Sequence, residues 1–266
     1  MLKDITLGQY FPGNSVIHHI DPRFKLIITL LFITMLFCAE SFLGLGISFF
    51  YAFVAILVSG IPVKMVAKSL RPIIPLIVFT SVLNVFFIDG EVLFAWKFIV
   101  ITHEGVRTAL FMIIRIVCLI AGTSLLTYTT SPITLTDAIE RLLSPLKKVK
   151  VPVHEFAMMM TIALRFIPTL IEETDKIMSA QKARGADLET GGLMKRAKAL
   201  VPILIPLFVS AFRRAEELAV AMECRCYHGD EGRTRLKQLR SGLKDYVALA
   251  VTMYFFDIII LINCIV

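Results

Sequence analysis

The stretch Lys25–Lys64, KLIITLLFITMLFCAESFLGLGISFFYAFVAILVSGIPVK, decides the fold of this chain. Between its two terminal lysines the only charged residue is Glu40. The 38 residues from Leu26 to Val63 would form about 57 Å of helix, which is close to twice the ~30 Å hydrocarbon core of a bilayer. We therefore predict two membrane crossings, with a turn at Glu40 and Ser41.

Three further apolar segments extend this pattern, at Pro72–Ile88, Val106–Tyr128 and Tyr246–Val266. The composition agrees, because 57% of the 266 residues are hydrophobic and 18% are charged. Soluble domains have about 45–50% apolar and about 25% charged residues. We predict an all-α, multi-pass membrane protein with about five to eight helices in or near the membrane, together with long cytoplasmic amphipathic helices.

The basic residues are unevenly distributed along the chain. Nineteen of the 28 lysines and arginines lie between Thr129 and Asp245. By the positive-inside rule, the N-terminus and residues 129–245 are cytoplasmic, and the protein lies in the cell membrane. The net charge of +7 is then a topology signal. It does not favour nucleic acid binding, because no basic-aromatic motif accompanies it.

This charge pattern divides the chain into three parts. We expect an N-terminal transmembrane bundle of about four spans at 1–128, a cytoplasmic region at 129–241 and a C-terminal transmembrane helix at 242–266. The cytoplasmic region predicts two long amphipathic helices, from Val153 to Arg184 and from Leu193 to about Tyr227. An apolar stripe on the second helix includes Phe208, Phe212 and Met222.

Each of these two helices ends in an arginine between small residues. Arg184 is flanked by Ala183 and Gly185, and Arg225 by Cys224 and Cys226. A basic residue in a last turn commonly complements the helix dipole, and Gly185 and Gly229 would then be ordinary C-caps. The repetition favours a second interpretation, because small flanks allow another surface to approach a guanidinium that can bind a carboxylate with a planar fork of donors.

Four motifs in order along the chain carry a resemblance to a known family. They are GQYFPGNSVIHHIDPRFKL, TTSPITLTDAIERLLSPLKK, KARGAD and AMECRCYHGDEGRTRLK. Together with the pattern of spans, they resemble the transmembrane T component of energy-coupling factor (ECF) transporters over essentially the whole chain. Cysteine on both sides of Arg225 departs from the smaller flanks that are commoner in that family, so equal docking at the two sites does not follow.

The resemblance implies a coupling subunit that binds two ABC-type ATPase subunits and a membrane-embedded, substrate-binding S component. It implies that Ala183-Arg184-Gly185 and Cys224-Arg225-Cys226 dock into the two ATPases. Phe208, Phe212 and Met222 would either hold the coupling helices together or contact the S component. The imported substrates would be vitamins or transition metal ions, and ATP with Mg²⁺ would be bound by the ATPases rather than by this chain.

The sequence itself gives no sign of catalysis. It lacks a G-x-x-x-x-G-K-[ST] phosphate loop, a nucleophile elbow and an H-E-x-x-H motif. Cys224, Cys226 and His228 form no metal-ligand pattern, because residues two apart on a helix point to different faces and no second ligand cluster follows. We therefore predict no enzyme activity, no cofactor and no metal site in this chain.

Two charged residues lie inside predicted spans. Arg115 is nine residues into the fourth span, about 13 Å deep, and Asp257 is similarly placed in the last. Such residues often mark a transport pathway or a proton relay. We favour packing roles in which both face the bundle interior and could meet each other. The alternative is a secondary transporter or channel that acts alone through Arg115 and Asp257.

Overall fold

The computed structural model describes residues 10–96, 99–186, 192–229, 239 and 241–265. Helices dominate these parts of the chain, as the all-α prediction requires. The helices are α1 Val16–His19, α2 Pro22–Cys38, α3 Phe42–Ser59, α4 Val63–Leu70, α5 Ile74–Phe87, α6 His103–Thr129, α7 Pro132–Leu143, α8 Val153–Ala183, α9 Leu193–Glu223 and α10 Leu243–Ile265.

The predicted turn at Glu40 and Ser41 separates α2 from α3. The Ser41 hydroxyl accepts a hydrogen bond from the Gly44 amide and so caps the start of α3. The two prolines of the third segment do not interrupt its helix. Pro72 lies in a 3₁₀ turn, and Pro75 lies in the first turn of α5, where a missing amide hydrogen costs nothing.

Within the described residues, five helical segments are long and apolar enough to cross a membrane: Phe42–Ser59, Val63–Phe87, His103–Thr129, Val153–Ala183 and Leu243–Ile265. The set differs from our prediction in two helices. With 17 residues, or about 25 Å, α2 is at the short end of what can cross. The 31-residue α8 satisfies the same length and composition test, although its sequence predicts an amphipathic helix.

A small antiparallel hairpin was not predicted. Strand β1, Val92–Trp96, pairs with β2, Ile99–Thr102, with Val92 opposite Thr102 and Trp96 opposite Ile99. The segment is rich in β-branched and aromatic residues, which fit a pleated strand well. The two halves of this short apolar segment pair with each other as strands and do not extend a helix.

The described chain forms two compact units, one of residues 8–138 with 238–266 and the other of residues 139–237. The core of the first unit joins α2, α3, α6 and α10. Gly122 of α6 faces the Phe32 ring so closely that a Cβ atom would collide with it. The buried core residues are Phe32, Met35, Leu36, Ala39, Leu45, Ala52, Cys118 and Ile259.

A buried carboxylate links the start of α10 to the start of α2. The Asp245 Oδ1 atom accepts the Asp21 amide at 2.9 Å, and its Oδ2 atom accepts the Gly242 amide at 2.7 Å. Asp21 in turn accepts hydrogen bonds from the Arg23 amide and guanidinium. Both carboxylates are at least 95% buried, so these bonds replace their lost hydration.

The other ends of these helices are held in a similar way. Arg115 of α6 donates through Nη2 to the Ala39 carbonyl at 2.6 Å, and Asn263 of α10 donates to the Cys38 carbonyl. At the end of α6, the buried Lys25 ammonium donates to the Thr129 carbonyl at 2.9 Å. Side chains from neighbouring helices thus satisfy backbone groups that a helix end leaves open.

We expect Asp245→Ala to lower the free energy of unfolding by about 1–3 kcal/mol, because it leaves the buried Asp21 amide without its acceptor and also removes the acceptor of the Gly242 amide. The measurement is thermal unfolding of the purified protein in detergent. The exposed carboxylate of Asp89 provides the control. Asp89→Ala should shift stability by less than about 0.5 kcal/mol, and equal unfolding temperatures for both variants would contradict this role of Asp245.

Candidate functional site

The second unit contains α8 and α9, which run antiparallel. Polar contacts of described residues join them near the start, the middle and the end of α8: Tyr227 Oη to Met158 Sδ at 3.0 Å, Arg214 Nη2 to Glu173 Oε2 at 2.5 Å, and Gln181 Nε2 to the Pro202 carbonyl at 3.3 Å. Contacts at three levels indicate that the two helices pack side by side along most of their length.

One of these contacts follows from the prolines of α9. In a regular helix the Pro202 carbonyl would accept the amide of residue 206. That residue is proline and has no amide hydrogen, so the carbonyl is left open. Gln181 of α8 donates to it instead. The sequence feature that weakens α9 therefore supplies an attachment point for α8.

Arg184 is the C-cap residue that follows the last residue of α8, and it immediately precedes a residue in the left-handed region. Gly185 has φ = 86°, and the chain closes back on the helix when the Ala186 amide donates to the Gln181 carbonyl at 3.0 Å. The Gly185 amide donates to the Lys182 carbonyl. This geometry is a Schellman C-cap, in which a left-handed residue lets the last carbonyls find donors.

Arg225 has the same backbone setting. Cys226 follows it with φ = 54°, the Tyr227 amide donates to the Met222 carbonyl at 3.1 Å, and the Cys226 amide donates to the Glu223 carbonyl. Cys226 therefore occupies the same position in this C-cap as Gly185 does in the first one. The interpretation of Gly229 as the C-cap residue is wrong. A side chain at such a φ costs about 1–2 kcal/mol, so the second motif holds its shape against strain.

The two arginines lie at opposite ends of the antiparallel pair. The contacts at Met158 and Gln181, near these ends, are 23 residues apart on α8, which places the motifs about 35 Å apart at ~1.5 Å per residue. Neither guanidinium has an ion pair within the described residues. All six motif residues are exposed: Ala183, Arg184, Gly185, Cys224, Arg225 and Cys226.

The apolar stripe of α9 is uncovered. Phe208 is 60% and Phe212 is 71% exposed, while Met222 is half-buried. Among the described side chains of α9, Ile203 is the one buried apolar residue. The two phenylalanines therefore do not hold α8 and α9 together by burial. An exposed apolar stripe of this kind is typical of a surface that meets another protein or lipid.

An ion pair that the sequence did not reveal contributes to joining the helices. The periodicity of α9 places Arg214 on its polar face, but the structure directs this side chain to Glu173 of α8. The two residues are 41 positions apart, so no local spacing rule relates them. Only the docking of one helix on the other brings them together.

Arg115 and Asp257 do not meet. The Arg115 guanidinium is half-buried, bound to the Ala39 carbonyl, and lies 4.7 Å from the centre of the Phe111 ring. Asp257 is exposed on α10, so the expectation that it faces the bundle interior is wrong. The structure brings these two residues into no shared polar path. Within the described residues there is also no group of three His, Cys, Asp or Glu side chains able to hold a metal ion.

Comparisons with known proteins give one consistent family. The family model CbiQ, described as cobalt transport protein, matches residues 13–236. A protein of Ruminiclostridium cellulolyticum named energy-coupling factor transporter transmembrane protein EcfT is 53% identical, over 99% of this chain and 98% of its own length. Proteins of the same name from Clostridium kluyveri and Lactococcus lactis are 57% identical over 93% of both chains and 45% identical over 98% of both chains.

The two C-caps predict opposite effects of substitution. Gly185→Ala should lower the stability of the second unit by about 1 kcal/mol, and Cys226→Gly should raise it by a similar amount, because glycine adopts positive φ without steric cost. Apart from its chain neighbours, no described residue has an atom within 4 Å of a Cβ placed at Gly185, so the expected penalty comes from backbone strain. Thermal unfolding in detergent measures both, and destabilisation by Cys226→Gly would contradict the assigned geometry.

Proposed function

Because the chain belongs to the family of energy-coupling factor transporter transmembrane proteins, we propose that it couples two ABC-type ATPase subunits to a membrane-embedded S component. ATP and Mg²⁺ would be bound by the ATPases, and this chain would catalyse no reaction. It would lie in the cell membrane, with its N-terminus and residues 129–245 on the cytoplasmic side, as the distribution of basic residues favours.

The observation that carries this proposal is the matched pair of helix ends. Arg184 and Arg225 share one backbone geometry, are both exposed, and lie about 35 Å apart at ~1.5 Å per residue. A separation of this size suits two separate partner sites better than one. At each site, the small residues beside the arginine would let it enter a groove of an ATPase subunit. The guanidinium would there bind a carboxylate of the ATPase with paired hydrogen bonds.

The hairpin of α8 and α9 is suited to transmitting a displacement between partners. When the two ATPases close on ATP, the helix ends that carry Arg184 and Arg225 would move with them. Because α8 and α9 are joined at three levels, movement at one end changes the whole pair rather than one turn. The exposed Phe208 and Phe212 would contact the S component and pass the movement on to it.

The imported substrate would be a micronutrient selected by the S component. The resemblance implies vitamins or transition metal ions, and the description of the matching family model as cobalt transport protein supports the metal ions. The exposed apolar stripe of α9 suits a partner with an apolar surface, as a membrane-embedded subunit has. The substrate would bind the S component and would not need to contact this chain.

Replacing both arginines tests the docking. Breaking a buried ion pair by removing one partner costs about 3–5 kcal/mol, so Arg184→Ala with Arg225→Ala should abolish co-purification of both ATPases. Each single variant should retain one ATPase site and lose most ATP-driven uptake. The exposed Arg213, also on α9 but away from its end, provides the control. Arg213→Ala should keep both ATPases, and an intact, active complex of the double variant would overturn the proposal.

Exchanging the charges of the inter-helix pair tests transmission. Arg214→Glu places two carboxylates at one crossing, so we expect loss of uptake while both ATPases remain bound. Adding Glu173→Arg restores opposite charges and should recover a substantial part of the uptake. The measurement compares uptake with ATPase retention in the same membranes. If the double exchange recovers nothing beyond the single variant, the ion pair does not position the helices as proposed.

A further inference from the structure

One face of α10 is uncovered along the length of the helix, and a carboxylate lies in its middle. Its residues recur at i, i+4, i+7, i+8, i+11 and i+15, which is the repeat of a single helical stripe. The opposite side of α10 faces the bundle through the buried Thr252 and Ile259. The members of this α10 stripe, all exposed, are Tyr246, Ala250, Met253, Tyr254, Asp257 and Leu261.

With α10 spanning a bilayer, Asp257 would lie near the middle of the membrane. It follows Tyr246 by 11 residues, or about 16 Å at ~1.5 Å per residue, which is half of a ~30 Å hydrocarbon core. Tyr246, at the start of α10, is of the residue type that concentrates at membrane interfaces. The segment 246–265 carries no other charged side chain.

A carboxylate in this position is unfavourable without a partner. A charged side chain at the centre of a bilayer loses its hydration, and such residues normally face a bundle interior or pair with another group. Within the described residues Asp257 has no ion pair, and Arg115 is already engaged with a carbonyl and two aromatic rings. No described residue of this chain supplies a partner for Asp257, and we look for one in another molecule.

A second copy of the chain does not provide it. In a symmetric pair of α10 helices each stripe would meet itself. Asp257 would then oppose Asp257, with no basic residue between 246 and 265 to neutralise them. Lipid chains have no donor at this depth. A helix from another membrane protein can supply one, and the small residue Ala250 lets such a helix approach closely.

We propose that the α10 stripe is a docking surface for a membrane-spanning helix that presents a basic or amide side chain at the depth of Asp257. This inference rests on the proposed function, in which the membrane-embedded partner is the S component. Asp257 accepts the hydrogen bond of the partner, and Met253, Tyr254 and Leu261 supply the apolar contact around it.

The test compares Asp257→Leu with Asp257→Asn in the assembled transporter. The T component and both ATPases are co-expressed, purified and reconstituted in nanodiscs, and the affinity for a separately purified S component is measured. Asp257→Leu should weaken it about threefold to thirtyfold, the range that one interhelical hydrogen bond gives in membranes. Asp257→Asn keeps an acceptor oxygen and should retain most of the affinity.

A matched control removes a polar group from another span. Thr34 is exposed on α2, and its hydroxyl donates to the Leu30 carbonyl of its own helix at 2.9 Å. Thr34→Val should leave the affinity unchanged. Retention of both ATPases by every variant verifies that the T component is folded, since docking of the ATPases does not use α10.

The outcomes separate this inference from the proposed function. If the unaltered chain binds no S component, the proposed function fails first. If it binds the S component and Asp257→Leu binds equally well, Asp257 faces lipid and the inference is wrong. A change in self-association of Asp257→Leu with unchanged S-component affinity would also overturn it, because the stripe would then be an interface between copies of this chain.

Discussion

The helix ends of the membrane bundle impose the constraint on which the rest of the first unit depends. Backbone groups at a helix end need partners, and a bilayer offers none. Asp245 satisfies the start of α2, Arg115 and Asn263 satisfy its end, and Lys25 satisfies the end of α6. These bonds join residues as far as 225 positions apart, so the last helix closes a bundle that the first helices begin.

The second unit follows a different principle. The α8–α9 pair buries little apolar surface and is joined by contacts spaced along its length, one of them made possible by Pro206. Its apolar stripe and both helix ends remain exposed. The two helices of this hairpin are therefore held together along their length, while its apolar stripe and its ends have no partner among the described residues. This combination is what a subunit needs if its partners complete those surfaces and move it.

Charged side chains have different structural roles in the two units. Arg115 resembles a transport residue in the sequence, but in the structure it closes a helix end and stacks near aromatic rings. From the sequence, Asp257 is the expected partner of Arg115, but in the structure it is exposed on α10. In the hairpin, Arg214 is drawn from the polar face into a contact with Glu173, while Arg184 and Arg225 remain exposed and available to other proteins.

The sequence by itself determined where the long helices lie and where the two arginines end them, because apolar runs, capping residues and prolines act over a few turns. It did not determine the β1–β2 hairpin, the role of Cys226 or the pairing of Glu173 with Arg214. Those depend on contacts between segments distant in the chain, or on a backbone angle that cysteine rarely adopts. Which face of α10 is buried was likewise decided only when the helices packed, because nearly every face of that helix is apolar enough to be inside.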